Sequence, residues 1–186
     1  MSRVELIAGH VSGRVLDIGH SVGTLHERVS EKRRVTGMDI VIKRPEKRVI
    51  KGDAQRMPVK GKSFDTILAG ELIEHLEAPP AFLEECGRVL KKSGTLIITT
   101  PNRDSLLNRL FKSYYAPAHL SLFNEKELRT LLENKGFRII KYALFPYTAE
   151  SSEGSRHMWL FPLRKMLHYM LPRSLREEMV VVAALK

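Results

Sequence analysis

Three aspartates stand in or at the end of short apolar runs, where strands of a parallel sheet would bring them to one edge. Asp17 lies in a Val-Leu-Asp-Ile-Gly stretch, Asp39 follows Gly-Met, and Asp53 follows a glycine. Ionised carboxylates accept hydrogen bonds and attract cations. If the fold brings these residues together, they predict a site for a ligand that presents hydroxyl, amino or ammonium groups.

A glycine-spaced turn follows the first of these acids. Residues 19–23 read Gly-His-Ser-Val-Gly, and the glycines allow a sharp bend and a close approach to a ligand. A dinucleotide fingerprint would need glycines where this chain has Ser21 and Thr24, so that motif is absent. Asp17 would repel a pyrophosphate but attract an ammonium group. S-adenosylmethionine has an amino-acid tail and no phosphate, and therefore suits this turn.

The other two acids fit the nucleoside part of the same ligand. Asp39 lies about twenty residues beyond the glycine turn, where an acid can accept hydrogen bonds from ribose hydroxyls. Asp53 could accept a hydrogen bond from an adenine amino group, with Ile40 and Met57 flanking the ring. Ligands of open α/β sheets bind in the crevice at the carboxyl ends of the strands. We therefore expect the three acids to converge there.

A second cluster has the residue types for proton transfer or metal binding. Glu71, Glu74 and His75 stand at i, i+3 and i+4, and they would share one face of a helical turn. His119 lies in a long irregular stretch, 102–123. If that stretch folds over the cleft, two carboxylates and two imidazoles could converge, hold a divalent ion and activate a hydroxyl. Ordinary satisfied polar residues, and a first-turn acid at Glu71, are the alternatives.

Alternating short apolar runs and helical patterns predict the sheet that would position these residues. Runs that are continuously apolar, such as 96–98, are typical of central strands that are buried on both faces. The pattern favours a parallel sheet with helices on its faces. The seven predicted strands are Arg14–Ile18, Val35–Asp39, Arg48–Lys51, Phe64–Ala69, Thr95–Thr100, Phe137–Leu144 and Met179–Leu185.

Two helices carry start and stop signals. Pro79 and Pro80 open a helix that the basic pair 91–92 and a glycine would close. Asn124 and Glu127 form a capping-box pattern at the start of a second helix, which Gly136 would end. The first helix would bury Phe82, Cys86, Val89 and Leu90 on one face.

A third, amphipathic helix is predicted between the last two strands. Its apolar residues recur at helical spacing, and its basic residues would face away from them. A helix that packs its apolar face on the sheet is the favoured interpretation, and a helix lying on a membrane surface is the alternative. The apolar set is Leu160, Leu163, Leu167 and Leu171, and the outward set is Arg164, Lys165 and His168.

The composition limits the classes of protein to which this chain can belong. The 186 residues are 43% hydrophobic and 28% charged, and we expect one domain over residues 1–186. A lone cysteine and the absence of a signal peptide or a long apolar run predict a cytoplasmic protein without a membrane span. The net charge of +10 leaves an RNA substrate open. Because aromatic residues are only 7%, a solvated basic surface is favoured.

From Val15 to Phe137 the sequence resembles the class I S-adenosylmethionine-dependent methyltransferases, and particularly the small-molecule type that includes the ubiquinone-biosynthesis O-methyltransferases. Besides the three acids, Phe64–Ala69 resembles the family's fourth-strand motif and Arg88–Leu96 the stretch leading into strand five. Ser21 departs from the family's usual middle glycine. The resemblance implies a Rossmann-like, doubly wound α/β sheet of seven strands, mostly parallel, with the last strand antiparallel. The cofactor-contacting residues that it implies are Asp17, Gly19, His20, Gly23, Asp39, Ile40, Asp53, Ala54 and Gly70.

The resemblance also narrows the activity. It implies methyl transfer from S-adenosylmethionine, and we expect the acceptor to be an oxygen of a small molecule, with His119, His75 and Glu71 as catalytic candidates. A Glu-His-Leu element is widespread in this family without metal, so a metal-free pocket is favoured. A Glu-x-x-Glu-His pattern with a distal histidine is similar to small-RNA 2′-O-methyltransferases, which keeps a metal-assisted RNA enzyme open. A cofactor-binding module without turnover is the third alternative.

Overall fold

Seven strands form a single sheet in the computed structural model, which describes residues 2–19, 29, 34–42, 48–110, 119–146 and 161–186. The strands are β1 (Arg14–Ile18), β2 (Arg34–Asp39), β3 (Val49–Lys51), β4 (Phe64–Gly70), β5 (Leu90–Pro101), β6 (Phe137–Phe145) and β7 (Glu178–Leu185). Every predicted strand is present, and the largest difference is at β5, which begins five residues before its predicted start. The order across the sheet is β3-β2-β1-β4-β5-β7-β6.

The sheet is parallel except at one side. Strands β1 to β5 pair in parallel, whereas β7 runs antiparallel between β5 and β6. This arrangement confirms the doubly wound fold with an antiparallel last strand. The chain order reverses between β1 and β4, so a crevice opens at the carboxyl ends of these strands.

Helices cover both faces of the sheet. The helices that begin at Pro79 and Glu125 contribute Phe82 and Leu128 to one apolar cluster, while the helix that begins at Arg3 places Leu6 and Ile7 in a second cluster on the other side. Cys86 is fully buried in the first cluster, as expected of a packing residue, and burial raises the pKa of its thiol well above the usual value. The helices are α1 (Arg3–His10), α2 (Pro79–Val89), α3 (Leu106–Leu110), α4 (Glu125–Asn134) and α5 (Phe161–Met170), with 3-10 turns at Ile73–His75 and Arg173–Leu175.

Capping explains where α4 begins and ends. The side chain of Asn124 accepts a hydrogen bond from the backbone of Glu127, whose side chain accepts one from the backbone N–H of Asn124, as the sequence predicts. Gly136 then adopts a φ of 81°, which a glycine tolerates without strain. α1 has the same kind of capping box at Ser2 and Glu5.

The predicted end of α2 is wrong by about one turn. The helix stops at Val89, and Leu90 already has extended backbone and pairs with Phe64 as the first residue of β5. The basic pair 91–92 therefore belongs to the strand. Leu90 is buried in either arrangement, and for that reason its apolar character does not distinguish a helix end from a strand start.

The predicted orientation of α5 is also wrong. Arg164 and His168 face the protein and are buried, whereas Leu163 and Met166 are exposed. The reason is Glu177, a fully buried carboxylate just before β7 that needs a cation beneath the helix. Residues 159–160, which belong to the predicted helix, lie outside the described residues.

None of the described helices combines the length and the apolar character that crossing a lipid bilayer requires. The predicted polar hinge at 148–154 lies outside the described residues.

Candidate functional site: a cleft at the switch point and an adjoining histidine cluster

A cleft of about 300 Å³ opens where β1, β2 and β3 end, and the segment around the first 3-10 turn closes it. This volume is at the lower end of the range typical of small-molecule sites. Among the described residues, six of the predicted site residues line the cleft. They are Gly19, Asp39, Ile40, Asp53, Ala54 and His75.

Asp39 is held at the rim by the chain that follows β2. Its Oδ1 accepts a hydrogen bond from the backbone N–H of Val41 at 2.9 Å, and its carbonyl oxygen accepts one from Gly52 at 2.9 Å. The second carboxylate oxygen has no hydrogen bond within the described part of the chain. Ile40, which is 62% exposed, lies beside it as an uncovered apolar wall. One fixed oxygen and one available oxygen suit an acid that accepts from a ligand hydroxyl.

Asp53, which follows the neighbouring strand β3, is held by the same kind of hydrogen bond. Its Oδ1 accepts from the backbone N–H of Gln55 at 2.8 Å, and this Asx turn fixes the carboxylate at the cleft. Ala54 is buried beside it. Met57, which was expected to flank the ligand, is instead buried in the core with its N–H donating to Glu85 Oε2 at 2.7 Å. Ile40 alone of the two predicted flanking residues lines the cleft.

Gly19 suits the mouth of the turn because of its backbone conformation. Its φ is 75°, in the left-handed region that strains residues with a side chain, and a Cβ here would also lie close to Leu72, 3.3 Å from its Cδ1. Its backbone N–H donates to Met38 at 2.9 Å, which ties the end of β1 to β2. His20 and Gly23 lie outside the described residues.

Four predicted site residues do not line the cleft itself. Asp17 is half-buried within β1, opposite Gly37 of β2, and Gly70 ends β4 next to Thr99 of β5. Their assignments as cofactor contacts stay predictions. The other two residues lie beside the cleft. His119 belongs to a cluster with His75 and Glu74, and Glu71 lies among acids next to that cluster.

Residues 119–123, just before α4, lie at the edge of the cleft, which meets the condition under which His119 was expected to approach the other residues. The carbonyl oxygen of Glu74 accepts hydrogen bonds from the backbone N–H groups of Leu120 and Ser121, at 2.8 and 2.9 Å. These bonds bring His119 against His75, with the ring centroids 4.8 Å apart. Glu74, His75 and His119 each place one potential ligand atom within 4.8 Å of the others.

Glu74 is the acid of this group and lies next to the histidine pair. It is fully buried, and its Oε2 accepts a hydrogen bond from Thr100 Oγ1 at 2.9 Å. Its Oε1 is buried without a hydrogen bond in the described part of the chain. Burial raises the pKa of the Glu74 carboxyl above its usual value. A buried acid with one unsatisfied oxygen is well placed to orient an imidazole or to accept its proton.

Glu71 does not share a helical face with Glu74 and His75, contrary to the prediction. Its φ is 48°, and the 3-10 turn begins only after it. Its Oε1 accepts from Thr99 Oγ1 at 2.9 Å and lies 3.9 Å from Arg3 Nη1. Burial, followed by the nearby carboxylates, raises the pKa of Glu71 well above its usual value.

Sequence reasoning missed the partners of these acids. Arg3 forms an ion pair with Glu178, which lies at the start of β7 and is buried. Thr99 and Thr100 present their hydroxyls from β5 to Glu71 and Glu74. No local pattern marks these residues, because each contact joins distant parts of the chain.

The donor set of the cluster suits two kinds of chemistry. Two imidazoles and one carboxylate match the ligand preference of several divalent transition metals. The same imidazoles without a metal can accept a proton from a hydroxyl at neutral pH. The fourth predicted ligand, Glu71, is not part of this cluster.

Comparison with known proteins gives consistent matches. Residues 2–142 match the profile of a family described as a methyltransferase domain. A probable S-adenosylmethionine-dependent methyltransferase of Mycolicibacterium smegmatis is 30% identical over 152 residues, which cover 73% of this chain and 56% of the relative. A ubiquinone biosynthesis O-methyltransferase of Nitrosococcus oceani is 32% identical over 119 residues, or 54% of this chain and 50% of the relative. The chain thus spans about half the length of these two relatives.

The fold also matches solved structures. A SAM-dependent methyltransferase from Archaeoglobus fulgidus superposes with a TM-score of 0.70, covers 97% of this chain and is 24% identical. At that identity the match supports the fold alone. The family profile, which spans most of the chain, carries the assignment of activity. The chain belongs to the methyltransferase domain family and is an S-adenosylmethionine-dependent methyltransferase.

Proposed function

We propose that this enzyme methylates an oxygen atom of a small molecule, with His119 as the general base. The observation that carries the proposal is the packing of His119 against His75, which lines the cleft, next to the buried Glu74. A hydroxyl must lose a proton when it is methylated, and an imidazole that adjoins the cleft can accept it. The similarity to a ubiquinone biosynthesis O-methyltransferase agrees with an oxygen acceptor.

The cleft residues fit the cofactor of the family. Asp39 and Asp53 each have a second carboxylate oxygen available within the described residues, and we assign these to the ribose hydroxyls and the adenine amino group. Gly19 keeps the mouth of the turn free of a side chain, and Ile40 offers an apolar surface to the ring. S-adenosylmethionine, when bound, supplies an activated methyl group. The chain then has to align the acceptor, which can lower a barrier by about 7–11 kcal/mol.

Three side chains beside the cleft have separate roles in this proposal. His119 accepts the proton, and His75 holds the ring of His119 in place by direct contact. Glu74 stabilises a positive charge on the imidazole pair, because its carboxyl group is buried and has an oxygen within 4.8 Å of a nitrogen of each ring. Glu71 is not assigned a contact with the substrate, because its Oε1 already accepts a hydrogen bond from Thr99 Oγ1.

The convergence of Glu74, His75 and His119 also supports a second candidate, a metal-assisted methyltransferase that acts on RNA. Such an enzyme would bind its substrate through phosphate contacts, so its affinity would fall steeply with salt. It would also lose activity in EDTA. Full activity in EDTA together with a flat salt response would exclude this candidate.

His119→Ala tests the proposal. We expect turnover to fall by a factor of about 10²–10⁴, the usual contribution of a general base, while the dissociation constant for S-adenosylmethionine stays within a factor of about two. The measurements are isothermal titration with the cofactor and release of labelled methyl groups across pools of hydroxylated metabolites and RNA. His10→Ala is the control, because the hydrogen bond that the structure shows for the His10 ring is a local one, to the carbonyl oxygen of Leu6 within α1. Loss of cofactor affinity in His119→Ala would instead assign a structural role to this histidine.

A further inference from the structure

Gln55 connects two walls of the cleft. One wall carries Asp53, just after β3, and the other is the segment 72–77, which includes His75. The backbone of Gln55 belongs to the Asx turn of Asp53, but its side chain reaches the end of the second wall. There its Oε1 accepts a hydrogen bond from the backbone N–H of Ala78 at 2.6 Å.

The start of α2 explains why Ala78 is a good place for this contact. Pro79 and Pro80 have no N–H group, and the N–H groups of the next two residues both donate to the carbonyl oxygen of Ala78, at 3.0 and 3.3 Å. The N–H of Ala78 itself is the donor that Gln55 receives. Because each proline ring fixes φ and restricts the residue before it, Gln55 is anchored to a stiff part of the chain.

This contact also fixes which way the side-chain amide of Gln55 points. An N–H group needs an oxygen as its acceptor, so Oε1 faces Ala78 and Nε2 is left to face Asp53. Nε2 donates to Asp53 Oδ1 at 3.4 Å, and the backbone N–H of Gln55 donates to the same oxygen at 2.8 Å. With two donors on Oδ1, the carboxylate is held in one orientation and Oδ2 is left for a ligand.

The rest of the loop after β3 is fastened to α2 by a different side chain. The carbonyl oxygens of Met57 and Val59 accept hydrogen bonds from the guanidinium group of Arg88, at 3.0 and 2.9 Å. Neither of these bonds involves Asp53. A variant of Arg88 therefore loosens the same loop while it leaves the contacts of Gln55 in place.

We propose that Gln55 is a positioning residue, which orients Asp53 for the cofactor and holds the wall that carries His75 at a fixed distance from it. The inference rests on the proposed contact between Asp53 and the adenine amino group. Gln55 acts through Asp53 and Ala78 and takes no part in the chemistry. Because methyl transfer depends on the alignment of the two reactants, a direct link between the cofactor wall and the histidine wall keeps them in register.

A double-mutant cycle on cofactor affinity tests the proposal. Gln55→Met keeps the length of the side chain and removes its polar groups, and it should raise the dissociation constant for S-adenosylhomocysteine by about three- to tenfold. The double variant Gln55→Met/Asp53→Ala should bind no more weakly than Asp53→Ala, since Gln55 acts through that carboxylate. Arg88→Met is the control, and its dissociation constant should stay within about twofold of the unmodified value. Isothermal titration measures the affinities, and circular dichroism verifies that the variants fold.

Hydrogen exchange at the Ala78 amide is a second measurement, which needs no cofactor. Pro79 and Pro80 carry no amide hydrogen, so a short peptide across this segment reports mainly on Ala78. Exchange should be faster by about fivefold or more in Gln55→Met and unchanged in Gln55→Glu, which keeps an oxygen for the Ala78 N–H. Gln55→Glu should still weaken cofactor binding, because its carboxylate lies beside Asp53 and repels it.

Three outcomes would overturn the proposal: an unchanged dissociation constant in Gln55→Met, additive losses in the double variant, or an equal loss of affinity in Arg88→Met. Each of them leaves the assignment of Asp53 in place, provided that Asp53→Ala weakens binding. If Asp53→Ala binds the cofactor as tightly as the unmodified chain, the contact proposed for Asp53 is wrong, and the role of Gln55 falls with it.

Discussion

At the scale of single residues, we propose that Asp39 at the end of β2 and Asp53 just after β3 recognise the cofactor. Asp39 and Asp53 each use Oδ1 to accept a backbone N–H two residues ahead, at 2.9 and 2.8 Å. The side chains are thereby fixed before a ligand arrives, which reduces the entropy lost on binding. Their remaining oxygens are the groups to which we assign the nucleoside.

Asp39→Ala should weaken the binding of S-adenosylmethionine by about 1–3 kcal/mol, because ligand hydroxyls lose their acceptor. Isothermal titration measures the change. Asp104→Ala is a suitable control, since Asp104 lies in the loop before α3 with a side chain 44% exposed. If Asp39→Ala binds the cofactor as tightly as the unmodified chain, Asp39 does not contact the ribose.

Glu71 gives a second prediction at this scale, for the dependence of stability on pH. Its pKa is raised by burial and by Glu178 and Glu74, so the folded state binds its proton more tightly than the unfolded state does. The stability that this proton contributes is complete below the unfolded pKa near 4.5 and is lost as the pH rises through the folded pKa.

Glu71→Gln removes this titration and keeps an acceptor for Thr99. Relative to the unmodified chain, the free energy of unfolding of the variant should rise between pH 4 and pH 8, because only the unmodified chain loses stability as Glu71 gives up its proton. Urea denaturation at a series of pH values measures the difference. Glu133→Gln, on the exposed side of α4, should show no such trend. A difference that shrinks as the pH rises would mean that Glu71 is stabilised as a carboxylate.

At the scale of elements, one buried ion pair determines how α5 sits on the protein. Glu177 is fully buried, and Arg164 is the cation that reaches it from the helix. Removing one partner of a buried pair leaves an uncompensated charge, which is more costly than removing both. The contact therefore decides which face of α5 is exposed.

Arg164→Leu should lower the free energy of unfolding by about 3–5 kcal/mol, because Glu177 loses its buried cation. The double variant Arg164→Leu/Glu177→Leu should recover a large part of that loss. Lys165→Leu, on the exposed side of the same helix, should change stability by less than about 0.5 kcal/mol. Thermal and urea denaturation provide the measurement. A loss no larger in Arg164→Leu than in Lys165→Leu would show that the ion pair does not anchor the helix.

The strands were predictable because each is a short apolar run between turn signals, and a capping box marks α4 in four residues. The outward face of α5 was not predictable. Leucines at helical spacing normally indicate the buried side, and the residue that overrides them, Glu177, lies beyond the helix and is identified only by the fold. The prediction of where α2 ends was wrong for a related reason. Leu90 would be buried both as the last residue of a helix and as the first residue of a strand, so its apolar character does not distinguish the two.

Some residues of the candidate site could likewise be predicted from the sequence, and others could not. Asp39 and Asp53 were identified because a strand end fixes where the residue lies, and both line the cleft. The position of His119 could be stated only as a condition on how its loop folds, and the two hydrogen bonds to the carbonyl of Glu74 meet that condition. Glu71 was misplaced because its spacing assumed a helical turn, whereas its φ is positive.

At the scale of the whole molecule, the sheet brings two groups of residues to one edge. The carboxyl ends of β1 to β3 form the cleft, and His119 joins Glu74 and His75 beside it.

The central claim is that the nucleoside of S-adenosylmethionine lies in the cleft at the ends of β1, β2 and β3. A crystal structure of the chain with S-adenosylhomocysteine tests it most directly. We predict that the ribose hydroxyls bond to Asp39 and that the adenine lies between Ile40 and Asp53. A nucleoside bound elsewhere, or one bound in the cleft without contact to either carboxylate, would contradict the account.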